Sequence, residues 1–195
     1  MQNSRFVDDT EIDSWVNDAI GELYDLLLQA NDDYWLATDD FTITSGNTEP
    51  LPTDLYLVKG VDLVNGSVST SLSTFTFRER NDVSRLSYRP IGSNLELRPA
   101  QSALGRSFRL YYVRTAPLLS DASQTLDAAL EPWKEFLVVS AAIQCRAKQE
   151  SDVSLLVRQR DDLLGRISSA AERDIGEPEH VTDVYAGEPW SRSLF

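Results

Sequence analysis

The residues of this chain that could perform covalent chemistry are one thiol and one imidazole. Cys145 and His180 are the single cysteine and the single histidine of the sequence, and together they could form a nucleophile–base pair. Cys145 lies within an apolar helical pattern, whereas His180 lies in a polar stretch beyond the predicted end of the next helix. Because unpaired cysteines are commonly buried, we expect a buried thiol at Cys145 without a catalytic role. A lone cysteine also excludes an internal disulfide and a cysteine-rich zinc site.

Neighbouring carboxylates are the second candidate for chemistry, as metal ligands or as an acid/base pair. They are Asp8-Asp9, Asp32-Asp33, Asp39-Asp40 and Asp161-Asp162. Adjacent residues on a helix do not share a face, and magnesium sites rarely depend on such neighbours alone. We therefore expect solvation and capping roles, and a metal-dependent enzyme remains an alternative. Phosphate-binding glycine loops, dinucleotide fingerprints, zinc-protease helices and glycine-flanked nucleophile serines are missing from the sequence, and we expect no cofactor.

Charge is distributed unevenly along the chain, whose formal net charge is −13. Residues 1–40 contain eleven acidic groups and only Arg5 as a base, whereas the segment from Arg78 to Arg114 contains eight arginines and three acidic residues. This pattern is typical of a solvated acidic helix beside an arginine-bearing sheet. Alternatively, the acidic surface of one copy contacts the basic surface of the next. The candidate inter-subunit charge contacts are Arg78, Arg80, Arg109, Asp13, Asp18 and Glu22.

The arginine-rich segment also allows a nucleic-acid-binding alternative. Aromatic residues that could stack on bases lie among the arginines, namely Tyr88, Phe108, Tyr111 and Tyr112. Against this alternative, an acidic protein repels phosphate unless its basic patch is compact and accessible.

Hydrophobic spacing predicts three long helices that would position these groups. The first begins at a capping box of Thr10 and Asp13 and continues at the helical period to Ala30. The second contains seven apolar residues among the eight of 136–143, which predicts a central helix enclosed on several sides. The third begins at a cap formed by Ser151 with Asp152 and ends at Gly176 and Pro178.

Between the first two helices, from about Phe41 to Thr115, short alternating runs predict strands. The runs are Phe41-Thr42-Ile43, Thr74-Phe75-Thr76-Phe77, Asn94-Leu95-Glu96-Leu97 and Phe108-Arg109-Leu110-Tyr111. Turn residues separate them, and Asn65-Gly66 favours a tight hairpin. Since the first helix has no other long amphipathic partner, it must pack with the last two.

The predicted fold is α+β: a helical bundle of three main helices, one N-terminal and two C-terminal, with an inserted antiparallel β module and an extended C-terminal tail. The corresponding segments are 1–40, 41–116, 117–176 and 177–195. No apolar run reaches the roughly 18 residues of a membrane span, and the N-terminus lacks the regions of a signal peptide. We expect a soluble protein that is made in the cytoplasm and does not contact a membrane.

The tail after the third helix has large apolar residues but no structural period. These residues are Val181, Val184, Tyr185, Trp190, Leu194 and Phe195. The segment is either a frayed terminus or a docking arm. Large aromatic residues are unusual in disordered segments and common as interface anchors, which favours the docking arm.

With this organisation, the sequence resembles the head–tail connector, or adaptor, proteins of tailed bacteriophages. The strongest likeness lies in Trp133-Lys134-Glu135-Phe136, Ala141-Ala142, Lys148-Gln149-Glu150-Ser151-Asp152, Arg166-Ile167, the run from Ala171 to Pro178, and Val181-Thr182-Asp183-Val184. Further likeness lies in Leu51-Pro52-Thr53-Asp54, Arg78-Glu79-Arg80-Asn81, and Gly92 through Leu95, Leu97 and Pro99.

The resemblance implies a structural virion protein and no enzymatic reaction. Such proteins form a ring, commonly of twelve copies, that joins the portal of the phage head to the next neck or tail protein and lets DNA pass through its channel without specific binding. In the resembling proteins the C-terminal segment docks on the portal or on a neighbouring copy. That role would fall here to residues 181–195.

Overall fold

A computed structural model describes residues 7–31, 33–120 and 124–173, with side chains described up to residue 170. The helices are α1 (Asp9–Ala30), α2 (Ala100–Ala103), α3 (Lys134–Lys148) and α4 (Ser154–Arg173), and the strands are β1 (Leu36–Thr42), β2 (Thr48–Pro50), β3 (Leu55–Asn65), β4 (Val68–Ser71), β5 (Ser73–Thr74), β6 (Ser87–Ile91), β7 (Asn94–Arg98) and β8 (Ser107–Arg114). The α+β fold with three main helices is confirmed. The predicted stop at Gly176 and Pro178 and the predicted tail lie outside the described residues.

Helix α1 begins two residues before the predicted capping box. The Asp8 carboxylate accepts a hydrogen bond from the Asp9 amide at 2.7 Å, and the Glu11 carboxylate accepts one from the Asp8 amide at 3.0 Å. The expected box at Thr10 and Asp13 is therefore wrong. Two carboxylates at the positive end of the helix dipole favour the earlier start, since they satisfy amides that have no partner within the helix.

The bundle core forms where α1 packs against α3 and α4, as the helical periods predicted. Its buried residues are Ala19, Ile20, Leu23, Tyr24, Leu27, Trp35, Val113, Leu130, Phe136, Leu137, Val139, Leu163 and Ile167. Two of these, Trp35 and Val113, come from the ends of the β segment. The residues at which the β segment joins the bundle are therefore part of the bundle core.

Helix α3 is not enclosed on several sides, contrary to the prediction. Phe136, Leu137 and Val139 are buried, but Val138 is 65% exposed because successive residues on a helix point about 100° apart and the neighbouring helices cover one face. Cys145, near the end of the same helix, is half-buried rather than buried. The apolar run extends onto the outer face of the helix.

The turn between α3 and α4 is closed by a residue in the left-handed region. Glu150 has a φ of 53°, its amide donates to the Ala147 carbonyl at 3.0 Å, and the Ser151 amide donates to the Arg146 carbonyl at 3.0 Å. The Asp152 carboxylate then accepts from the Ser154 amide at 2.9 Å, which lowers the pKa of Asp152. Asp152 therefore caps α4 as predicted, while Ser151 instead contributes to the closure of α3.

The strands form two four-stranded sheets, in the orders β1-β8-β3-β4 and β2-β7-β6-β5. The hairpin at Asn65-Gly66 is confirmed, with Gly66 at a φ of 61° between β3 and β4. The sheets are not purely antiparallel, because the short β5 pairs with β6 in parallel. The second core, between the sheets, contains Ile43, Val61, Leu63, Tyr88, Leu95, Leu97, Ala103, Phe108, Leu110 and Tyr112.

The predicted strand at 74–77 is wrong beyond Thr74. Strand β5 covers only Ser73–Thr74, and a single 3-10 turn, Phe77–Glu79, follows it. The Glu79 carboxylate accepts from the Thr76 amide at 2.8 Å and from the Thr76 hydroxyl at 3.0 Å. This local capping outweighs the strand preference of the alternating residues.

The sheets are attached to the bundle at one seam, formed by Tyr24, Trp35 and Arg114. The Tyr24 hydroxyl donates to the Arg114 carbonyl at 2.9 Å, and its ring lies 5.2 Å from that of Trp35. The Arg114 amide donates to the Trp35 carbonyl at 3.1 Å. The chain therefore leaves the bundle and returns to it at neighbouring points.

Candidate assembly surfaces

A cleft of about 200 Å³ lies on the surface of the bundle where α1, α3 and α4 meet. It is lined by Trp15, Asp18, Ala19, Glu22, Ser140, Ile143, Gln144, Val157 and Arg160. We call it the helical cleft. Pockets for small-molecule ligands usually measure about 300–1,000 Å³, so this cleft is better matched to a single large side chain. It combines apolar residues with two carboxylates, Asp18 and Glu22, and one guanidinium, Arg160.

The acidic residues predicted for subunit contacts all lie on α1, but they do not share a face. Asp18 and Glu22 line the helical cleft, whereas Asp13 points roughly 140° away from Asp18 around the helix. Glu22 accepts a hydrogen bond from Arg160. Asp18 is exposed and forms no ion pair with any residue that the structure describes. The carboxylate of Asp18 is therefore available to a cation from another molecule.

The segment of residues 76–86, between β5 and β6, forms a basic loop that carries an exposed aromatic ring. Phe77 is 65% exposed, and the guanidinium carbons of Arg80 and Arg89 lie 4.4 and 6.0 Å from the centre of its ring. Arg80 also donates to the Phe77 carbonyl at 3.0 Å, and Arg98 donates to the Arg80 carbonyl.

The basic loop is ordered by its own side chains. In addition to the Thr76–Glu79 contacts, the Asp82 carboxylate accepts from the Ser84 amide at 2.9 Å. Amide hydrogen bonds from Thr76 and Ser84 lower the pKa values of Glu79 and Asp82, respectively. The loop therefore presents its ring and its arginines in a defined arrangement.

The eight arginines between 78 and 114 divide into two groups. Arg98, Arg109 and Arg114 pair with Glu96, Asp40 and Asp127 of the same chain. Arg78, Arg80, Arg85, Arg89 and Arg106 form no ion pair within the described ranges. Four of these five unpaired arginines, Arg78, Arg80, Arg85 and Arg89, lie in the basic loop or beside it.

Arg109, one of the predicted subunit contacts, is engaged within its own sheet. It faces Asp40 across the register of β1 and β8 and binds both carboxylate oxygens, at 2.6 and 2.8 Å. This bidentate contact lowers the pKa of Asp40. Arg78 and Arg80, by contrast, are exposed on the basic loop.

The aromatic residues of the nucleic-acid alternative are mostly inside the protein. Tyr88, Phe108 and Tyr112 are buried, and Tyr111 is half-buried. Phe108 stacks on Phe41 at 5.5 Å, and burial raises the pKa of Tyr88. The rings of Tyr88, Phe108 and Tyr112 belong to the core between the sheets and do not form a stacking platform for bases.

Among the described residues, no three of His, Cys, Asp or Glu are grouped closely enough to hold a metal ion. Asp8 caps α1, Asp40 pairs with Arg109, and Asp161 and Asp162 are exposed on α4. Asp33 pairs with Lys59, and Asp39 is exposed on β1. Outside the described residues lie Asp32, His180 and the predicted docking residues Val181, Val184, Tyr185, Trp190, Leu194 and Phe195.

Sequence reasoning did not identify Phe77 or the helical cleft as candidates. An aromatic residue followed by Arg-Glu-Arg is a signal that could have indicated Phe77, since aromatic residues and arginine are both enriched in interfaces. The cleft brings together residues from three helices that are far apart in the sequence, so no local pattern marks it.

Comparison with known proteins places this fold in a class of bacteriophage structural proteins. The family model for the SU10 adaptor protein matches residues 1–182, which is most of the chain. No curated protein matches it. None of the described helices is both long enough and apolar enough to cross a membrane.

The chain therefore belongs to the SU10 adaptor protein family. It is a bacteriophage adaptor with a structural role in the virion, and it associates with other head or tail proteins of the phage. The resemblance to phage connector proteins in the sequence is confirmed.

Proposed function

We propose that this adaptor forms a ring that joins the portal of the phage head to the next neck or tail protein. The observation that carries the proposal is the family match over residues 1–182. The expected copy number is twelve, and DNA passes through the ring during ejection without specific binding. The protein is made in the host cytoplasm, becomes part of the virion neck and catalyses no reaction.

Two surfaces of unlike character support assembly into a ring. The helical cleft carries the unpaired carboxylate of Asp18 beside the paired Glu22 and Arg160, whereas the basic loop carries arginines with no ion pair among the described residues. A contact between unlike surfaces is heterologous, and copies joined by such contacts close into a ring when the rotation between them allows it.

The negative net charge suits a channel for DNA. With a formal charge of −13 on each copy, carboxylates that face the channel would repel phosphate. A basic lining would instead gain free energy from the release of counterions and would retain the DNA. The acidic composition therefore favours passage over binding.

We further propose that residues 177–195 are a docking arm for the portal or a neighbouring copy. The aromatic residues Tyr185, Trp190 and Phe195 would act as anchors. Many copies in one ring would bind together, so that a weak contact for each arm becomes strong for the assembly through effective concentration.

Electron microscopy of the purified protein, alone and mixed with portal protein, tests this function. We expect rings that attach to the portal. Deletion of residues 188–195 should weaken attachment and leave the thermal unfolding of the bundle unchanged. Particles that remain monomeric with and without portal would contradict the ring, and full attachment of the shortened chain would remove the arm from the proposal.

A further inference from the structure

We propose that the basic loop of one copy docks into the helical cleft of a neighbouring copy, with Phe77 in the cleft and Arg78 and Arg80 beside Asp18. This inference rests on the ring proposed above and assigns the surfaces that join its copies. The occupant of the cleft is a second copy of this chain.

The size and polarity of the helical cleft fit an aromatic side chain. Trp15, Ala19, Ile143 and Val157 supply apolar contacts, and Val157 is still 38% exposed. Phe77 is a large apolar ring that is 65% exposed, with the Arg80 guanidinium 4.4 Å from its centre. Placing the ring in a cleft of about 200 Å³ would remove apolar surface from water on both partners.

The charges around the ring and around the cleft are complementary. Arg78 and Arg80 flank Phe77, and neither forms an ion pair within the part of the chain that the structure describes. Asp18 lies at the cleft and has no ion pair among the described residues, whereas Arg160, which also lines the cleft, is already paired with Glu22. A guanidinium beside this carboxylate would add a directional contact and fix the orientation of the neighbour.

The basic loop is already ordered, which reduces the cost of binding. Contacts from Glu79 to Thr76 and from Asp82 to Ser84 hold its backbone, and Arg80 holds the Phe77 carbonyl. A segment that is arranged before it binds loses less conformational entropy on association. The contact is therefore expected to depend on Phe77 itself rather than on an ordering transition.

The loop and the cleft belong to different parts of the molecule. The cleft lies on the bundle, and the loop belongs to the sheet that contains β5 and β6. Each copy would thus give one surface and receive the other, which is the arrangement that propagates around a ring. Duplex DNA is a weaker candidate for the loop, because the whole chain is strongly acidic and repels phosphate.

Sedimentation velocity of the full-length chain, with electron microscopy, tests the contact through single substitutions. We expect Phe77→Ser and Asp18→Arg each to weaken association about tenfold or more. Val68→Ser is the control for Phe77, since Val68 is 61% exposed on β4 and lies outside the loop. Asp161→Arg is the control for Asp18, because Asp161 is an exposed carboxyl on α4. Both controls should assemble like the unmodified chain.

Cross-linking tests the pairing of the two surfaces directly, in a Cys145→Ser background so that no other thiol is present. A chain with both Arg78→Cys and Asp18→Cys should form a ladder of disulfide-linked oligomers under mild oxidation. A mixture of the two single variants should stop at dimers, and either single variant alone should stay uncross-linked, because the contact joins unlike surfaces.

The outcomes separate this inference from the ring itself. Rings that form normally with Phe77→Ser and Asp18→Arg, and without the cross-link, would overturn the loop-to-cleft contact and leave the ring in place. An unmodified chain that stays monomeric, with and without portal, would overturn both. A third outcome is that the chain binds duplex DNA in a salt-sensitive way, and that Phe77→Ser loses this binding but still forms rings. This result would assign the loop to DNA binding and would also overturn the loop-to-cleft contact.

Discussion

At the scale of single residues, Glu150 adopts a backbone conformation that favours glycine. Its φ of 53° closes α3, and a side chain in this left-handed region costs roughly 1–2 kcal/mol. We therefore expect Glu150→Gly to raise the free energy of unfolding by about 0.5–1 kcal/mol, with the gain reduced by the greater freedom of glycine in the unfolded chain. Urea denaturation measures the change. Glu150→Ala keeps the Cβ and should gain little, and an equal gain in both variants would contradict the explanation.

The ion pair of Arg114 and Asp127 joins the end of β8 to the segment before α3, and it should make stability depend on pH. Arg114 holds the carboxylate at 2.8 and 2.9 Å and lowers the pKa of Asp127 below its ordinary value of 3.8. A lowered folded-state pKa gives stability that is present above the ordinary pKa and lost as the pH falls through the lowered one.

Asp127→Asn should therefore cost about 1 kcal/mol at pH 7, after allowance for the partial exposure of the pair. The difference from the unmodified chain should shrink as the pH falls below about 4. Thermal unfolding across pH 2–7 measures it, with the exposed Asp161→Asn as control. A difference that stays constant over this range would show that the ion pair is not its cause.

The role of a side chain was predictable from the sequence only where its hydrogen-bond or ion-pair partner lies within a few residues along the chain. The capping role of Asp152 depends on Ser154, two residues away, and it was predicted. Arg109, in contrast, pairs with Asp40, which is distant in the chain, and only the register of β1 and β8 brings the two together. The sequence contains the arginines and the carboxylates but does not show which of them become neighbours in the fold.

At the scale of elements, α3 has one buried face and one exposed face despite its uniform apolar sequence. We expect Phe136→Ala to lower the free energy of unfolding by about 3–5 kcal/mol, because Phe136 is fully buried in the bundle core. Val138→Ala, two residues away and 65% exposed, should change it by less than about 0.5 kcal/mol. Urea denaturation of both variants measures the contrast. Comparable losses would show that both faces of the helix are covered.

The elements that were predicted correctly have a strong period or a specific turn. The period of α1 and the hairpin at Asn65-Gly66 both follow from interactions within a few residues. The strand predicted at 74–77 failed because Glu79 caps the backbone at Thr76, and a side-chain contact of this kind competes with the weak preference of a short alternating run. The exposure of Val138 depends on how many other elements pack around α3. That number is set by the tertiary structure and cannot be inferred from the sequence of α3.

At the scale of the whole molecule, the proposed contact of Arg78 and Arg80 with Asp18 should make assembly sensitive to salt. Raising the ionic strength from 0.1 to 1 M shortens the screening length from about 10 to about 3 Å. We expect the association of the unmodified chain to weaken over this range, as measured by sedimentation velocity. In Asp18→Asn the dependence should be smaller, since one attractive charge is gone. Association that strengthens with salt would indicate a contact dominated by apolar burial.

The helical cleft and the basic loop could not have been found from the sequence, because each requires the tertiary structure. Trp15, Ile143 and Val157 converge only when three helices pack. The phage adaptor family, in contrast, was recognisable from motifs spread over the chain, since a family likeness accumulates over many positions and needs no single site.

The seam at Tyr24, Trp35 and Arg114 has a mechanical consequence. The two strands that leave and rejoin the bundle there are adjacent, and a buried indole and a phenol-to-carbonyl bond clamp them on the bundle side. A pull on the sheets would thus reach the helices at one stiff joint rather than through two independent tethers. In the ring proposed above, each copy would therefore transmit a force between its sheets and its bundle through this joint.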